Sequence, residues 1–274
     1  MKTPVLRVAA VQMVSRPQVD ANLRDAEALI AQAVGCGAQL VVLPEYFCLM
    51  GRSDADKVAV READGEGPIQ RFLADTAARH RIWLVGGTTP LAAPQPDRVM
   101  NSVLVYDPHG RRVARYDKIH LFAFSRGTES YDEARTIAPG REPVAFTLTV
   151  PDLPPLKVAL SVCYDLRFPE LYRALAPVDL ILVPSAFTAT TGRAHWEVLL
   201  RARAIENLAY VLAAAQGGRH ENGRATFGHS MLIDPWGQVL ALRAEGPGIV
   251  LGEVDPATIA QVRADLPALT HRVL

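Results

Sequence analysis

Three residues capable of covalent chemistry share one placement. Glu45 follows the apolar run Leu40-Val41-Val42-Leu43-Pro44, Lys118 follows Val113-Ala114-Arg115-Tyr116-Asp117, and Cys163 follows Val158-Ala159-Leu160-Ser161-Val162. Strand ends are where α/β enzymes assemble their sites. Taken singly, each residue has an ordinary explanation. Charged residues end strands because the chain is surfacing there, and a lone cysteine commonly just fills apolar space. Taken together they offer a base, a cation and a nucleophile, the parts that covalent hydrolysis by a thiolate requires.

Such groups need elements to hold them, and the hydrophobic pattern supplies these in alternation. Residues 6–13 read as an opening strand. Asp20 reads as the cap of a helix that carries Leu23, Ala26, Ile30 and Ala33 on one face and closes at Gly35 and Gly37. Residues 40–43 form a buried strand, Pro68 opens a second helix with Ile69, Phe72, Leu73 and Ala77, and residues 82–85 form the next strand. Residues 102–106 and 112–116 flank Asp107-Pro108-His109-Gly110 as an antiparallel hairpin. Strand 157–162, a short helix over 168–176, strand 180–183, a helix over 194–208 and strand 210–215 follow. A hairpin around Pro235-Trp236-Gly237, a strand over 249–254 and a helix from Pro256 complete the chain. No linker or repeat divides it, so one domain over 1–274 is expected, with mixed sheets layered under helices.

The local sequences around the three reactive residues point further. Leu43-Pro44-Glu45, Tyr116-Asp117-Lys118-Ile119-His120-Leu121-Phe122 and Cys163-Tyr164-Asp165-Leu166-Arg167-Phe168-Pro169-Glu170-Leu171 resemble, in order and spacing, the three catalytic motifs of the nitrilase superfamily of carbon-nitrogen hydrolases. The resemblance continues through Pro184-Ser185-Ala186-Phe187, Arg201-Ala202-Arg203-Ala204-Ile205-Glu206-Asn207 and Gly228-His229-Ser230. It implies a four-layer α-β-β-α sandwich that forms a homodimer or higher homo-oligomer. It also implies Cys163 as nucleophile, Glu45 as general base and acid, and Lys118 as the cation at a developing oxyanion.

A free thiol with pKa about 8.5 is only a few per cent ionised at neutral pH, so a base beside it is required. A lysine ~4 Å from the forming oxyanion is worth at most about 4 kcal/mol at an effective dielectric of 20, and it also favours the thiolate. The Tyr164 backbone N–H is expected as the second oxyanion donor. The family's second glutamate, counted back from Pro139-Gly140, falls on Glu133, with Glu129 in the same loop as the alternative. Arg167 matches in position an arginine that grips the substrate carboxylate in some carbamoyl-amino-acid hydrolases of this superfamily. The other reading of Arg167 is a partner of Asp165 or Glu170.

Composition excludes other classes. Twenty-nine basic and 29 acidic residues cancel without a run of like charge, so neither a nucleic acid nor an acidic membrane is the expected partner. No apolar run approaches the ~18 to 20 residues of a membrane span. Cys36, Cys48 and Cys163 form no Cys-x-x-Cys pair, as expected of reduced thiols in a cytoplasmic protein. The seven histidines lack metal-type spacing, and no phosphate-binding glycine loop is present, so no metal or cofactor is expected. Arg201, Arg203 and Glu206 read as a charge network on a helix surface. Within the superfamily the chain looks most like the deaminated-glutathione amidase branch, then the ω-amidases acting on 2-oxoglutaramate-type acids. The implied activity converts the carboxamide of a small carboxylate-bearing substrate to acid and ammonia through a thioester. An N-carbamoyl amino acid hydrolase and a catalytically silent scaffold are the alternatives.

Overall fold

Side-chain alternation along the first strand decides the layering. In the computed structural model, which describes residues 4–127 and 129–273, strand Leu6–Gln12 turns Val8 and Ala10 toward a second sheet and Ala9 and Val11 toward helices. The same parity holds where Leu40 and Val42 face inward while Val41 faces the helical side. Both faces are therefore apolar, as a sheet sandwiched between layers demands.

The first sheet runs Gly248–Val254, Leu6–Gln12, Leu40–Val42, Trp83–Val85, Val99–Tyr106 and Thr89–Ala92, with Arg112–Asp117 and Ile137–Ala138 also paired to Val99–Tyr106. Its centre is parallel and its margins antiparallel, apart from the parallel pairing of Ile137–Ala138 with Val99–Tyr106. Helices Val19–Gly35 and Pro68–His80 cover its outer face with Ala26, Ile30, Ala33, Ile69, Leu73 and Ala77. The second sheet runs Ala145–Leu148, Leu156–Leu160, Leu180–Ser185, Tyr210–Ala215, Ser230–Ile233 and Val239–Arg243. Helix Ala189–Asn207 covers it through Trp196, Leu200 and Ala204. The result is a four-layer α-β-β-α sandwich with its main core between the sheets. No helix among the described residues is long and apolar enough to cross a membrane.

Element boundaries depart from the sequence reading where side chains act outside their local pattern. The first helix begins at Val19 with Gln18 as N-cap, so Asp20 lies inside the first turn rather than capping it. The neighbouring Asn22 instead holds the entry, accepting from Arg16 N–H (2.8 Å) and donating to the Arg16 and Cys48 carbonyls (2.7 and 2.9 Å). The helix expected from residue 194 begins at Ala189, because the Thr188 hydroxyl caps it by accepting from Thr191 N–H (3.2 Å). Gly192 sits in that helix where a Cβ would stand 2.4 Å from the Phe227 side chain. A small hairpin, Ala123–Arg126 with Glu129–Asp132, forms in what read as the loop of Glu129 and Glu133, and Gly217–Arg219 with Ala225–Phe227 forms another.

Candidate active site

Three strand exits converge at one end of the sandwich. After Leu40–Val42 the chain reaches Glu45 and turns at once, with Tyr46 in the left-handed region (φ 57°) and its N–H donating to Thr88 Oγ1 at 2.9 Å. Gly87 makes that turn possible, since a Cβ on it would meet the Pro44 carbonyl oxygen at 2.0 Å. Glu45 is buried. Its Oε1 accepts from Asn101 Nδ2 and from Lys118 Nζ, both at 2.9 Å, and its Oε2 accepts from the Ala186 N–H at 2.9 Å.

Lys118 leaves strand Arg112–Asp117 with its N–H on the Asn101 carbonyl (3.0 Å) and its own carbonyl on the Gly140 N–H (2.8 Å). Gly140 packs so closely that a Cβ would lie 2.0 Å from the Asp117 carbonyl oxygen, which gives the Pro139-Gly140 pair a physical reason. The buried ammonium of Lys118 bridges Glu45 and Glu133, lying 3.0 and 2.7 Å from the two oxygens of Glu133. Glu133 is fixed in turn by the Phe122 N–H (2.8 Å) and the Tyr46 hydroxyl (2.8 Å). Glu133, not Glu129, is thus the carboxylate brought to Lys118. Glu129 opens strand Glu129–Asp132 and lines a separate cavity.

Cys163 follows strand Leu156–Leu160 and begins a 3-10 turn, Cys163–Arg167, with a left-handed φ of 50°. Asp165 holds this elbow. Its Oδ2 accepts from Tyr116 OH (2.7 Å) and Val162 N–H (2.8 Å), and its Oδ1 accepts from His120 N–H (3.0 Å) and contacts His120 Nδ1 (2.7 Å). Arg203 braces the same turn from behind, donating from Nε and Nη2 to the Leu166 carbonyl at 3.0 and 2.7 Å. The expectation of a surface charge network is therefore corrected for Arg203, which is buried and needed by a carbonyl 37 residues away.

The charges set the resting state. Burial alone would lower the Lys118 pKa, but Glu133, Glu45 and Cys163 around it overcome that and raise it, so it stays an ammonium. Burial would raise the Glu133 carboxyl, yet Lys118 and the hydrogen bonds from Phe122 and Tyr46 hold it below the usual carboxylate range. Burial and then the Glu45 charge push the Cys163 thiol well above its ordinary value. Lys118 acts in the direction the sequence suggested, favouring the thiolate, but burial and the carboxylates outweigh it. Cys163 thus rests as a thiol, which would need a proton acceptor to become a nucleophile.

A narrow cleft opens over the sulfur, lined by Phe122, Glu133, Tyr164, Arg167, Phe187 and Arg224 among others. Among the described residues, the Tyr164 N–H pairs with no backbone acceptor, and the ring packs edge-on against Phe122 and Phe168. Arg167 pairs with neither Asp165 nor Glu170. Its Nη1 lies 3.2 Å from His195 Nδ1, and its guanidinium sits over the Tyr164 and Phe187 rings at 5.7 and 5.5 Å.

Sequence reasoning missed Tyr46, Asn101, Tyr116, His120, Asp165 and Arg224. Three of these carried a readable signal, since Tyr116, His120 and Asp165 lie inside the motif stretches; Asn101 precedes the strand read from the sequence, although it lies inside strand Val99–Tyr106.

A family model described as carbon-nitrogen hydrolase matches residues 7–264. A deaminated glutathione amidase of Synechocystis is 42% identical over 271 residues, covering 97% of each chain. The crystal structure of Saccharomyces cerevisiae Nit3, a member of branch 10 of the nitrilase superfamily, shares 30% identity and a TM-score of 0.87, covering 98% of this chain and 97% of that one. The NitFhit protein of C. elegans is 35% identical with a TM-score of 0.87; the match takes in 100% of this chain and 66% of that longer one.

Proposed function

Because this chain belongs to the carbon-nitrogen hydrolase family, whose members here hydrolyse amide C–N bonds, we propose that it is a thiol amidase acting on deaminated glutathione through Cys163, Glu45, Lys118 and Glu133. The observation that carries this reading is the Lys118 ammonium held between Glu45 at 2.9 Å and Glu133 at 2.7 Å at the cleft that contains Cys163.

In the first half-reaction Glu45 takes the thiol proton as Sγ bonds to the amide carbon. The carbonyl π electrons move onto oxygen, where Lys118 Nζ and the Tyr164 N–H receive the oxyanion. Collapse breaks the C–N bond, and Glu45 returns the proton to the departing nitrogen. A water then gives its proton to Glu45 and attacks the thioester; the second collapse breaks the C–S bond and releases the carboxylic acid, and Glu45 returns the proton to the sulfur, restoring the thiol and the free base. Glu133 keeps Lys118 aimed and charged throughout. Arg167 grips the substrate carboxylate as a forked donor.

Deaminated glutathione carries only peptide-type amides, so on that substrate the leaving group is an amine, whereas the ammonia expected from the sequence belongs to primary amides such as 2-oxoglutaramate. We place the enzyme in the cytoplasm, which its free cysteines suit, and as a homodimer, for which the exposed Val198 and Trp236 on the second sheet's outer side are suitable contacts.

Incubation with deaminated glutathione is expected to release the 2-oxo acid and the amine in equal amounts. Cys163→Ala and Glu45→Gln are each expected to abolish this release. Release that survives in a folded Cys163→Ala protein refutes the nucleophile, and normal turnover in Glu45→Gln refutes the base.

A further inference from the structure

Two cavities meet at Arg224. The first is the cleft over Cys163; the second is a larger, open outer cavity of about 620 Å³, and among the described residues Arg224 lines both. The outer cavity is linked to Glu45 through two neighbouring residues. Tyr46, the residue after Glu45, forms part of its wall, and Arg224 Nη2 donates to the Ala186 carbonyl (3.0 Å), the residue whose N–H holds Glu45 Oε2.

The chamber's charge is one-sided. It presents Arg52, Lys57, Arg219 and Arg224 against Asp54 and Glu129, and Lys57 is already engaged by Asp54 at 3.4 Å. Arg224 is also incompletely satisfied, because its Nε is buried without a hydrogen-bond partner among the described residues. A buried guanidinium N–H with no acceptor costs free energy. The rest of the guanidinium is held in place, over the Tyr131 ring at 5.1 Å. The hairpin that bears it is anchored as well: Arg224 N–H donates to Asn222 Oδ1 (2.9 Å), and Asn222 Nδ2 donates across to the Gly51 carbonyl (2.6 Å). The donor is therefore set before any ligand arrives.

We propose that the outer cavity is the leaving-group subsite and that Arg224, with Arg219 behind it, selects substrates whose departing amine carries a carboxylate, such as an amino acid or short peptide. This inference rests on the amidase reading above and deepens it. Arg167 in the inner cleft serves the acyl half, and Arg224 serves the half that leaves.

The test compares two substrates with one acyl group: deaminated glutathione, whose leaving group is cysteinylglycine, and 2-oxoglutaramate, whose leaving group is ammonia. In Arg224→Gln the ratio of kcat/KM for the first over the second is expected to fall at least about ten-fold, chiefly through KM, as for loss of one charge-assisted hydrogen bond. Arg219→Gln, an exposed position that keeps the test open if Arg224→Gln fails to fold, is expected to move the ratio the same way. A ratio within two-fold of wild type in the folded variants, or equal losses on both substrates, overturns the proposal. If wild type hydrolyses neither substrate, the amidase reading fails by itself, and calorimetric binding of cysteinylglycine decides the subsite. A ten-fold weaker Kd in Arg224→Gln supports it; an unchanged Kd, or no binding to wild type, overturns it.

Discussion

Glu133→Gln preserves the side chain's shape and removes its charge. Three donors converge on the native carboxylate: Lys118 Nζ on both oxygens, the Phe122 N–H on Oε2 and the Tyr46 hydroxyl on Oε1. An amide offers one acceptor and one donor in that space. Its best pose keeps the carbonyl oxygen on Phe122 and Lys118 and turns the amide nitrogen to Tyr46, whose hydroxyl can rotate to accept. One Lys118 contact is then lost, and the ammonium keeps a single buried counter-charge, Glu45. Breaking a buried pair outright costs roughly 3 to 5 kcal/mol; because Glu45 remains, about 2 to 3 kcal/mol is expected. For a chain of this size that corresponds to a Tm lower by roughly 4 to 12 °C.

The kinetic effect should be larger than the thermal one. Lys118 drawn toward Glu45 is misplaced for the oxyanion and ties up the base, so kcat should fall about 10² to 10³-fold, the scale of losing one oxyanion donor. Urea unfolding and steady-state turnover of deaminated glutathione measure the two quantities. A folded variant with kcat within about two-fold of wild type would show that Glu133 does not position Lys118 for the chemistry.

Two further outcomes follow from the same cluster. Gly140→Ala drives a methyl group to within 2.0 Å of the Asp117 carbonyl oxygen, beside Lys118, so turnover should fall at least about ten-fold without any change in charged groups; an active, normally stable variant would refute the close-approach argument. The pH dependence of stability has a definite sign. Glu133 is held below its unfolded pKa of about 4.3, so its stabilisation is present above that value and lost as pH falls through the folded one, while Lys118, raised above about 10.4, loses its share only as pH rises beyond that. The stability gap between wild type and Glu133→Gln should therefore be flat from about pH 5 to 9 and shrink below about pH 4, and a gap independent of pH down to 3 would contradict it.

What could be read from the sequence was local, and what could not was assembled across the two sheets. The strand before Glu45 and the hairpin before Lys118 were visible as apolar runs, yet both belong to one sheet while the strand before Cys163 belongs to the other. No periodicity states that the exits of different sheets meet; only the resemblance carried that expectation. Glu133 was separable from Glu129 by its count to Pro139-Gly140, and the reason is the contact of Gly140 with the Asp117 backbone, which no spacing reveals. Arg203 shows the opposite failure. Its pattern with Glu206 is that of a surface pair, and the pair exists at 2.9 Å, but the same guanidinium is buried under the Cys163 turn.

Two of the residues that resist local rules lie at the proposed site of the chemistry. Tyr46 and Cys163 hold left-handed backbone at φ 57° and 50°, a conformation costing such residues of order 1 to 3 kcal/mol each. Glycine would relieve that cost, so a reading based on turn chemistry places neither bend. Each bend is held by a bond from a distant segment: Thr88 Oγ1 receives the Tyr46 N–H, and Asp165, clasped by Tyr116 and His120, receives the Val162 N–H. The strain turns Glu45 and Cys163 out of their strands toward the region of Lys118. The side chains that hold it are as much a part of the catalytic arrangement as those that meet the substrate.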